Sequence, residues 1–424
     1  GCAVGPDFQR PAAPAKAAYQ ATPLPAKTDA GQGGAPQALA SGMDIPGQWW
    51  ELFHSPALDA LVKRALARNP DLDAAQQALH GAWENVYVQQ GAFWPSVQAD
   101  FNPTRNKTSA ALSPVPANNA LYYSLHTAQV SVSYVPDLWG GNRRQVESLK
   151  AQAEQQRFQV EATYLTLTSN LVNAAIQEAS LRAQLEATGA IVASQRQVLD
   201  STLRQRQLGQ LSDSDVAAQR AQLAQAEAGL PALQKQLAQQ QDLIAALAGG
   251  MPGDQGPAFQ LDQLDLPGDL PVSLPAQLIE QRPDVRAAEA AWHAACAQVG
   301  VAVADRLPNI SLSAGLGSAA GSIHQLFSSG MGLWSLAADI SQPVFAGGAL
   351  RHKERAARYA YAQAGAVYRS AVVTAFQNVA DTLHAIQADA AALAAADTAE
   401  RAAARSLQIA RSQLALGDVS QVAL

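Results

Sequence analysis

Hydrophobic and polar residues alternate in four short stretches of this chain, at residues 97–102, 128–134, 310–316 and 334–340. A period of two is typical of strands whose two faces meet different surroundings. The apolar members are Val97, Ala99 and Phe101; Ala128, Val130, Val132 and Tyr134; Ile310, Leu312, Ala314 and Leu316; and Trp334, Leu336, Ala338 and Ile340. The pattern therefore predicts four strands, each with one polar and one apolar face.

The longest uninterrupted stretches of the chain are helical in pattern. Residues 142–208 contain no proline, which predicts a helix of roughly 100 Å, and residues 349–416 repeat this pattern. A third helix returns after the first, and its apolar residues recur every seven positions. Such spacings are typical of coiled coils. The seam residues are Val216, Leu223, Leu230, Leu237 and Ile244 in the returning helix, and Val372, Phe376, Val379, Leu383, Ile386, Ala390 and Leu393 in the last one.

The returning helix carries two further local signals. Ser212 is followed three residues later by Asp215, which is close to a capping box with Asp in place of Glu. Pro231 lies inside the helical pattern, and we expect it to interrupt and kink the helix.

An internal repeat organises these elements. Pro70 and Pro95 fall on Pro283 and Pro308 at an offset of 213 residues, and later landmarks agree at offsets of 207 and 208. Four landmarks in the same order make coincidence very improbable, so we interpret the chain as two copies of one unit. Each copy contains a helix (about 57–92 and 275–306), a strand pair and a long helix. The Asn-Pro-Asp or Arg-Pro-Asp sequence in the first of these is interpreted as an N-terminal turn.

The repeat predicts eight segments along the chain. A leader rich in Pro, Ala and Gly comes first, and a Pro- and Gly-containing linker joins the two copies. The segments are 1–47, the extended leader, which lies along the surface or is mobile; 48–94, short helices; 95–136, a strand pair; 137–250, long helices; 251–273, the linker; 274–307, a short helix; 308–343, a strand pair; and 344–424, a long helix.

Composition and charge narrow the function classes. The net charge of −6 is spread along the chain, which excludes a nucleic-acid footprint. The chain has no run of 18 apolar residues, so no transmembrane helix is predicted. The seven His residues are scattered without metal-ligand spacing, and neither a nucleotide-binding loop nor a nucleophile elbow occurs. We therefore predict no enzyme activity, no metal and no cofactor.

The strand lengths point to a membrane. About ten alternating residues can cross an outer membrane as a tilted strand, and a sheet in lipid must close. Four strands cannot close, whereas two chains would give eight and three would give twelve with an open lumen. A soluble sandwich edge is the alternative, but it has no use for the long helices. Tyr122, Tyr123 and Trp334 are predicted at the membrane interface.

The two cysteines have different predicted roles. Cys2 follows Gly1 as in a processed lipobox, which predicts a lipid on its thiol and the absence of the signal segment. The alternative is an arbitrary start. Cys296 lies in an apolar helical stretch and is predicted to be a buried small hydrophobe.

Taken together, the motifs resemble those of the TolC-like outer-membrane efflux factors, in particular the NodT-type lipoprotein branch. They are "CAVGPDFQRP", "WWELFHSPALDALV", "NPDL", "FWPSV", "VPDLWGGNRR", "LPAQLIEQRPDVRAAEAA", "RLPNISLSAGLG" and "QPVFAGGALR". The resemblance implies a mainly α fold and a homotrimer, in which four strands per chain share a twelve-stranded barrel above a long α-helical barrel. It also implies a lipid on Cys2, outer-membrane lipid around the barrel, and partners in a periplasmic adaptor and an inner-membrane pump of the resistance-nodulation-division (RND) type.

"VPDLWGGNRR" and "QPVFAGGALR" occupy the same place in the two copies, where a strand becomes a long helix. Proline ends sheet pairing and a glycine pair lets the backbone bend. The predicted junction residues are Pro136, Gly140 and Gly141, and Pro343, Gly347 and Gly348. The following Arg143, Arg144 and Arg351 either meet lipid phosphates or helix partners, or are solvated charges of a plain turn.

The ends of the long helices are the predicted periplasmic gate. In the family that the chain resembles, rings of carboxylates or bulky residues close this end. The candidates are Asp418 and Gly417 at one tip, and Gly209, Asp213 and Asp215 at the other; the alternative is that these Asp residues only cap helices. The family's further acidic position falls on Ala423, and the end at Leu424 predicts that a closing helix is missing.

The predicted function is an outer-membrane channel that conducts small molecules (drugs, toxic compounds or metal ions) passively from an inner-membrane pump and periplasmic adaptor to the cell exterior. One alternative is the exit duct of a type I protein secretion system, which shares the fold. The other is a coiled-coil envelope protein without a channel, which predicts no alternating strand pairs.

Overall fold

The structure is a computed structural model, and it describes residues 3–12, 19, 25–29, 36–43, 45–109, 122–254, 256–272 and 275–419. The chain divides into two compact units. We call one the strand unit, which comprises Gly1–Pro11, Ala78–Arg157 and Ala287–Ser370. The other is the hairpin unit, which comprises Ala12–Gln77, Phe158–Arg286 and Ala371–Leu424.

Seven α-helices are assigned in the described residues. They are α1 (Pro56–Arg68), α2 (Pro70–Gly91), α3 (Gly141–Gln207), α4 (Asp213–Leu247), α5 (Pro275–Gln281), α6 (Pro283–Ala304) and α7 (Ala349–Leu416). The two long helices, of 67 and 68 residues, confirm the sequence prediction to within one residue at each end. α4 continues through Pro231, so the predicted interruption there is wrong. Half-buried Leu230 and Leu237 hold the helix on both sides of this proline.

The short helices correct the predicted segments 57–92 and 275–306, each of which is two helices. The breaks fall at Asn69 and Arg282, each directly before a proline, where the α conformation is disfavoured. Asn69 has a ψ of 123°. Its side-chain oxygen accepts hydrogen bonds from the backbone N–H groups of Asp71 and Leu72, at 3.0 and 3.1 Å, and so caps α2.

The strand unit contains a four-stranded antiparallel sheet in the order β2-β3-β5-β6. Its strands are β2 (Ser96–Lys107), β3 (Tyr122–Tyr134), β5 (Asn309–Ala320) and β6 (Gly332–Ser341), within the segments predicted as strand pairs. The hairpin unit adds a parallel pair, β1 (Ala38–Ser41) and β4 (Asp269–Val272). These two strands were not predicted, because four residues are too few to show a period of two.

The hairpin unit packs α1 against the antiparallel pair formed by α4 and the second half of α3. Its buried core is Trp50, Leu58, Leu61, Val62, Ala65, Leu171, Val172, Ala174, Ala175, Ala179, Ile244, Ala248 and Phe259. Between α3 and α4, Arg196 pairs with Glu227 at 2.7 Å and Gln219 bonds Gln195 at 2.6 Å. Small alanines let the helices approach closely, as the composition suggests. A smaller core in the strand unit joins α2 to α3 through Val86, Val146 and Ala153.

Candidate functional site

The sheet of the strand unit has one apolar face across all four strands. Val132 of β3 lies opposite Val97 of β2 and Ala314 of β5, and Leu316 lies opposite Trp334 of β6. Residues opposite each other in a ladder point to the same face. Most large side chains of this face are exposed, and an exposed apolar patch of this kind is typical of a membrane or partner surface.

The opposite face of the same sheet is polar. Gln129 of β3 lies opposite Asp100 of β2 and Gly317 of β5, and Ser131 lies opposite Gly315. A Cβ on Gly315 would come within 2.6 Å of the Gln129 amide nitrogen, so the glycine leaves space for this side chain. Side chains on this face can offer hydrogen bonds to water.

The three predicted interface aromatics lie on both faces. Tyr122 and Trp334 lie on the apolar face of the sheet, an even number of residues from Val130 and Leu336 in their own strands. Tyr123 lies on the polar face, because successive residues of a strand point to opposite faces. Lys107 places its Nζ 5.3 Å from the centre of the Tyr122 ring, as in a cation–π contact. The interface role of the three residues stays a prediction.

We call the segment from Pro136 to Gly141 junction one. Asp137 supplies the cap of α3: its two carboxylate oxygens accept hydrogen bonds from the backbone N–H groups of Asn142 and Arg143, both at 3.0 Å. The Arg143 guanidinium bonds the same carboxylate at 3.1 Å and the Asp137 carbonyl at 3.0 Å. The prediction for this junction rested on proline and glycine alone and did not include the carboxylate.

The glycines of junction one are required by close contacts. Gly140 has a φ of 77°, and a Cβ there would lie 2.5 Å from the Cα of Ala3. A Cβ on Gly141 would lie 2.9 Å from the Cβ of Ala304. The bend therefore admits no side chain, both for backbone conformation and for space.

Junction two, from Pro343 to Gly348, is open. Val344 occupies the place of Asp137 and is 95 % exposed, and the following Phe345 is 91 % exposed. Gly347 and Gly348 have φ values of 58° and 84°, and no atom lies within 4 Å of a Cβ built on Gly347. Here the glycines serve the bend alone.

Residues 3–10 form a strap on junction one and α6. The Val4 N–H donates to the Trp139 carbonyl at 3.0 Å, and Gly5 meets Gly300 so closely that a Cβ on it would lie 2.4 Å from the Gly300 Cα. The thiol of Cys296 is 3.7 Å from the Pro6 carbonyl. The predicted leader is thus surface-hugging along these residues, while Cys2 lies outside the described residues.

Further along the strap, aromatic and charged contacts continue on α6. Phe8 stacks on His293 with ring centres 4.6 Å apart and meets Trp292 edge-on at 5.5 Å. Arg10 pairs with Glu289 at 3.0 Å. The contacts descend α6 as the strap advances, so the strap runs antiparallel to the helix.

Arg144 holds the strap from the α3 side. Its side chain is 6 % exposed, donates to the Val4 carbonyl at 3.0 Å, and pairs with Asp7 at 2.6 Å and Glu147 at 2.8 Å. Burial alone would lower the pKa of Arg144, but the hydrogen bonds to the two carboxylates outweigh it, so the pKa is raised. Arg143 and Arg144 thus bind groups of junction one, of the strap and of α3 itself, whereas Arg351 is exposed. A contact of these arginines with lipid phosphate stays a prediction.

Cys296, under the strap, is 1 % exposed and confirms the predicted buried cysteine. Burial is the largest cause that raises the pKa of its thiol. The strap contributes to this cover through the Pro6 carbonyl.

The two helix tips have the same backbone. Gly209 and Gly417 have φ values of 75° and 83°. Each glycine N–H bonds the carbonyl three residues back, at 2.9 and 3.1 Å, and the next N–H, of Gln210 or Asp418, bonds the carbonyl five residues back at 2.9 Å. This is the glycine helix ending known as the Schellman motif. Both glycines thus have a clear structural role.

The acidic tip candidates differ in their bonds. Ser212 and Asp215 form the predicted capping box: the Asp215 carboxylate accepts from the Ser212 N–H at 2.9 Å. These bonds, first that from the Ser212 side chain, lower the pKa of Asp215. Asp213 pairs with Arg206 at 2.6 Å. Ala423 and Leu424 lie outside the described residues.

The hairpin unit contains a buried carboxylate that was not predicted from the sequence. Glu178 is almost fully buried, accepts from Arg182 at 2.6 Å and from the Phe259 N–H at 3.1 Å, and so ties the linker to α3. The spacing of four residues between Glu178 and Arg182 is the one signal in the sequence that could have indicated the pair.

Helical membrane spans and metal clusters are absent from the described residues. No helix in that part of the chain has both the length and the apolar character of a membrane span. The same residues contain no group of three or more His, Cys, Asp or Glu side chains that could hold a metal ion.

The sequence is similar to curated efflux proteins of Pseudomonas putida. It is 31 % identical over 397 residues to the toluene efflux pump outer membrane protein TtgF of this organism, covering 91 % of this chain and 79 % of the relative. It is 30 % identical over 348 residues to the pyoverdine export outer membrane protein OpmQ of the same species, covering 81 % of the chain and 73 % of OpmQ.

The fold is similar to that of the outer-membrane channel OprN. The match has a TM-score of 0.84 and 26 % sequence identity, and it covers 99 % of this chain and 91 % of OprN. The predicted TolC-like fold is confirmed, and with it the prediction of a channel protein rather than an enzyme. The family model described as "Outer membrane efflux protein" matches residues 61–250 and 274–424, and the chain belongs to this family.

Proposed function

We propose that three copies of this chain form the outer-membrane channel of a tripartite efflux system. The channel passively conducts small molecules, received from an inner-membrane pump of the RND type through a periplasmic adaptor, to the cell exterior. The observation that carries this proposal is the sheet with one apolar face, one polar face and two unpaired edge strands.

The sheet explains why several copies are needed. Backbone groups at an open edge are not tolerated in lipid, and β2 and β6 each leave one edge unpaired within the described chain. Small barrels need about eight strands, and only larger ones leave an open lumen. Three chains supply twelve strands, with the apolar face toward lipid and the polar face toward water.

The polar face suits passive conduction. Its central positions carry Gln129, Ser131 and Ser133, with Gly315 and Gly317 beside them. Amides and hydroxyls exchange hydrogen bonds with water and with solutes of many kinds without strong preference. The relatives are named for toluene and for pyoverdine, two unlike small molecules, which supports small molecules as the cargo class.

Deletion of the gene tests this function. We expect hypersensitivity to several small toxic compounds and rescue by the intact gene. Loss of one secreted protein without hypersensitivity would instead favour a type I secretion duct. Normal secretion and normal resistance together would contradict the proposed efflux function; the third alternative, a coiled-coil envelope protein without a channel, already disagrees with the strand pairs of the sheet.

We also propose that Cys2 carries a covalent lipid that anchors the chain in the outer membrane. The support is that Ala3, the next residue, lies against Gly140 at the base of the sheet, where the membrane surface would be. Labelling with radioactive palmitate should mark the intact chain but not Cys2→Ser. Equal labelling of both would contradict the anchor.

Asp418 is the proposed gate residue at the tip of α7. Threefold symmetry would bring three such carboxylates together, where they repel one another or bind cations. Asp418→Ala should raise the single-channel conductance in planar bilayers, whereas Asp213→Ala, whose partner Arg206 lies on the same hairpin, should leave it unchanged. An unchanged conductance for Asp418→Ala would remove this residue from the gate.

A further inference from the structure

We infer the register in which neighbouring copies of this chain pair their strands. The edge strand β6 of one copy pairs antiparallel with β2 of the next copy, so that Ile340 lies opposite Phe101, Asp339 opposite Asn102 and Ser341 opposite Asp100. This inference rests on the proposed homotrimer and specifies its contacts in the sheet. It follows from the internal repeat of the chain.

The two strand pairs of the chain are structurally equivalent, and their ladders give the equivalence residue by residue. Ser96 and Asn309 each follow the repeated proline, and they pair with Ser133 and Ser341. Ser133 of β3 therefore corresponds to Ser341 of β6, an offset of 208 residues. β2 and β5 correspond at an offset of 213, as the prolines show.

Within the chain, the second strand of repeat one already pairs with the first strand of repeat two. β3 pairs antiparallel with β5, and Val132 lies opposite Ala314 while Ser131 lies opposite Gly315. The contact from β6 to the next β2 is the same kind of contact. By the offset of 208 residues Val132 corresponds to Ile340, and by the offset of 213 residues Ala314 corresponds to Phe101. Ile340 of one copy is therefore inferred to lie opposite Phe101 of the next.

The inferred register agrees with the chemistry of both faces. Ile340 and Phe101 both belong to the apolar face, so the pairing extends this face from copy to copy. On the polar face, the Asp339 carboxylate lies opposite the Asn102 amide, which can donate to it. A slip of one residue would set Ile340 opposite Asp100 and mix the faces.

A slip of two residues keeps the faces but is unfavourable in one direction. It would set Asp339 directly opposite Asp100, and like charges opposite each other destabilise a sheet. The repeat thus selects a register that avoids this carboxylate pair. The register was derived from the strand ladders alone, without using the charges. The absence of repulsion between Asp339 and Asp100 in this register therefore supports it independently.

Exposure at the base of the strands supports the same contact. Phe345 and Val344 follow β6 and are almost fully exposed, and Trp94, just before β2, is also exposed. Within the chain, the indole N–H of Trp139 in junction one donates to the Pro308 carbonyl at 2.7 Å, across the boundary between β3 and β5. The equivalent boundary between copies brings junction two beside Pro95 of the next copy, where the exposed side chains can cover one another.

Pairs of engineered cysteines test the register in membranes. In a Cys296→Ser background, Asp339→Cys with Asn102→Cys should give disulfide-linked dimers and trimers on non-reducing gels after mild oxidation. The control is Asp339→Cys with Asp100→Cys, two residues away in β2. Directly opposite residues lie within about 5.5 Å, whereas diagonal neighbours lie about 7–8 Å apart, beyond easy disulfide reach.

Each outcome decides a separate point. Stronger linkage of the control pair would overturn the register. Absence of linkage in both pairs, with trimers present by amine cross-linking of the same membranes, would overturn it as well. Absence of any oligomer of the intact chain by amine cross-linking would overturn the proposed homotrimer itself. The single-cysteine variants exclude linkage through other thiols.

Discussion

Junction one and junction two share the pattern Pro-x-x-x-Gly-Gly but differ in what surrounds it. In junction one, Asp137 caps α3, Arg143 bonds Asp137, and the strap fills the space beside Gly140. Junction two keeps the glycines and lacks the carboxylate, and its Val344 and Phe345 face outward. The comparison shows that the glycine pair allows the backbone to bend, whereas other side chains, such as those of Asp137 and Arg143, stabilise the bend.

The largest difference is expected between Gly140→Ala and Gly347→Ala. Both place a side chain at positive φ, which costs about 1–2 kcal/mol. Gly140→Ala must also displace Ala3, so we expect a total loss of about 3 kcal/mol or more. Thermal unfolding followed by circular dichroism measures both, and equal losses would contradict the contrast between the junctions.

Arg144→Ala is expected to cost about 2 kcal/mol, because the charge is buried but one partner, Asp7, is mostly exposed. The strap should loosen, and maleimide should label Cys296 several times faster. Arg351→Ala, at the equivalent place after junction two, should change stability by less than about 0.5 kcal/mol. Unchanged labelling of Cys296 in Arg144→Ala would show that Arg144 does not hold the strap.

The cap of α3 can be removed from one junction and added to the other. Asp137→Ala should lose about 1–2 kcal/mol of unfolding free energy, as for other helix caps. Val344→Asp should gain about 0.5–1 kcal/mol if the added carboxylate reaches the first backbone N–H groups of α7, among which that of Ala349 already donates to the Ala346 carbonyl at 3.0 Å. Denaturant unfolding measures both, and a destabilised Val344→Asp would show that the backbone of junction two cannot accept a cap.

The smallest effect concerns pH at the tips. The pKa of Asp215 is lowered in the folded chain, so its stabilising contribution is present above the unfolded value of about 3.9 and is lost as pH falls through the folded value. The melting temperature of Asp215→Asn should therefore fall less between pH 5 and pH 3 than that of the intact chain. Asp418→Asn is the matched control at the other tip, and an equal change there would refute a role specific to the capping box.

Much of the fold follows from local sequence patterns. The four strands and the two long helices were predicted because alternation and the absence of proline extend over many residues. Asn-Pro-Asp and Arg-Pro-Asp were interpreted as helix starts, but the helices before Asn69 and Arg282 were not separated from those after them, because helix-favouring residues lie on both sides of the proline. The Asp137 cap was missed because the carboxylate lies five residues before Asn142, whereas a usual cap reaches two or three residues ahead.

The strap could not be predicted for a different reason. Its partners, among them Gly300, Cys296 and His293, lie nearly 300 residues away along the chain, and a single sequence does not show which distant residues meet. The packing between Gly5 and Gly300 depends on small size alone, which leaves no pattern. The sequence of the leader shows only that it is rich in Pro, Ala and Gly and has no helical or strand period.

The strap has a consequence for the order in which the chain folds. The Asp137 cap joins groups five residues apart and can form as soon as α3 begins, whereas the contact between Pro6 and Cys296 joins residues 290 positions apart. Contacts between distant residues must overcome a larger entropy of loop closure and depend on synthesis of the later partner. The first described residues to be synthesised therefore reach their final place only after α6 has been made.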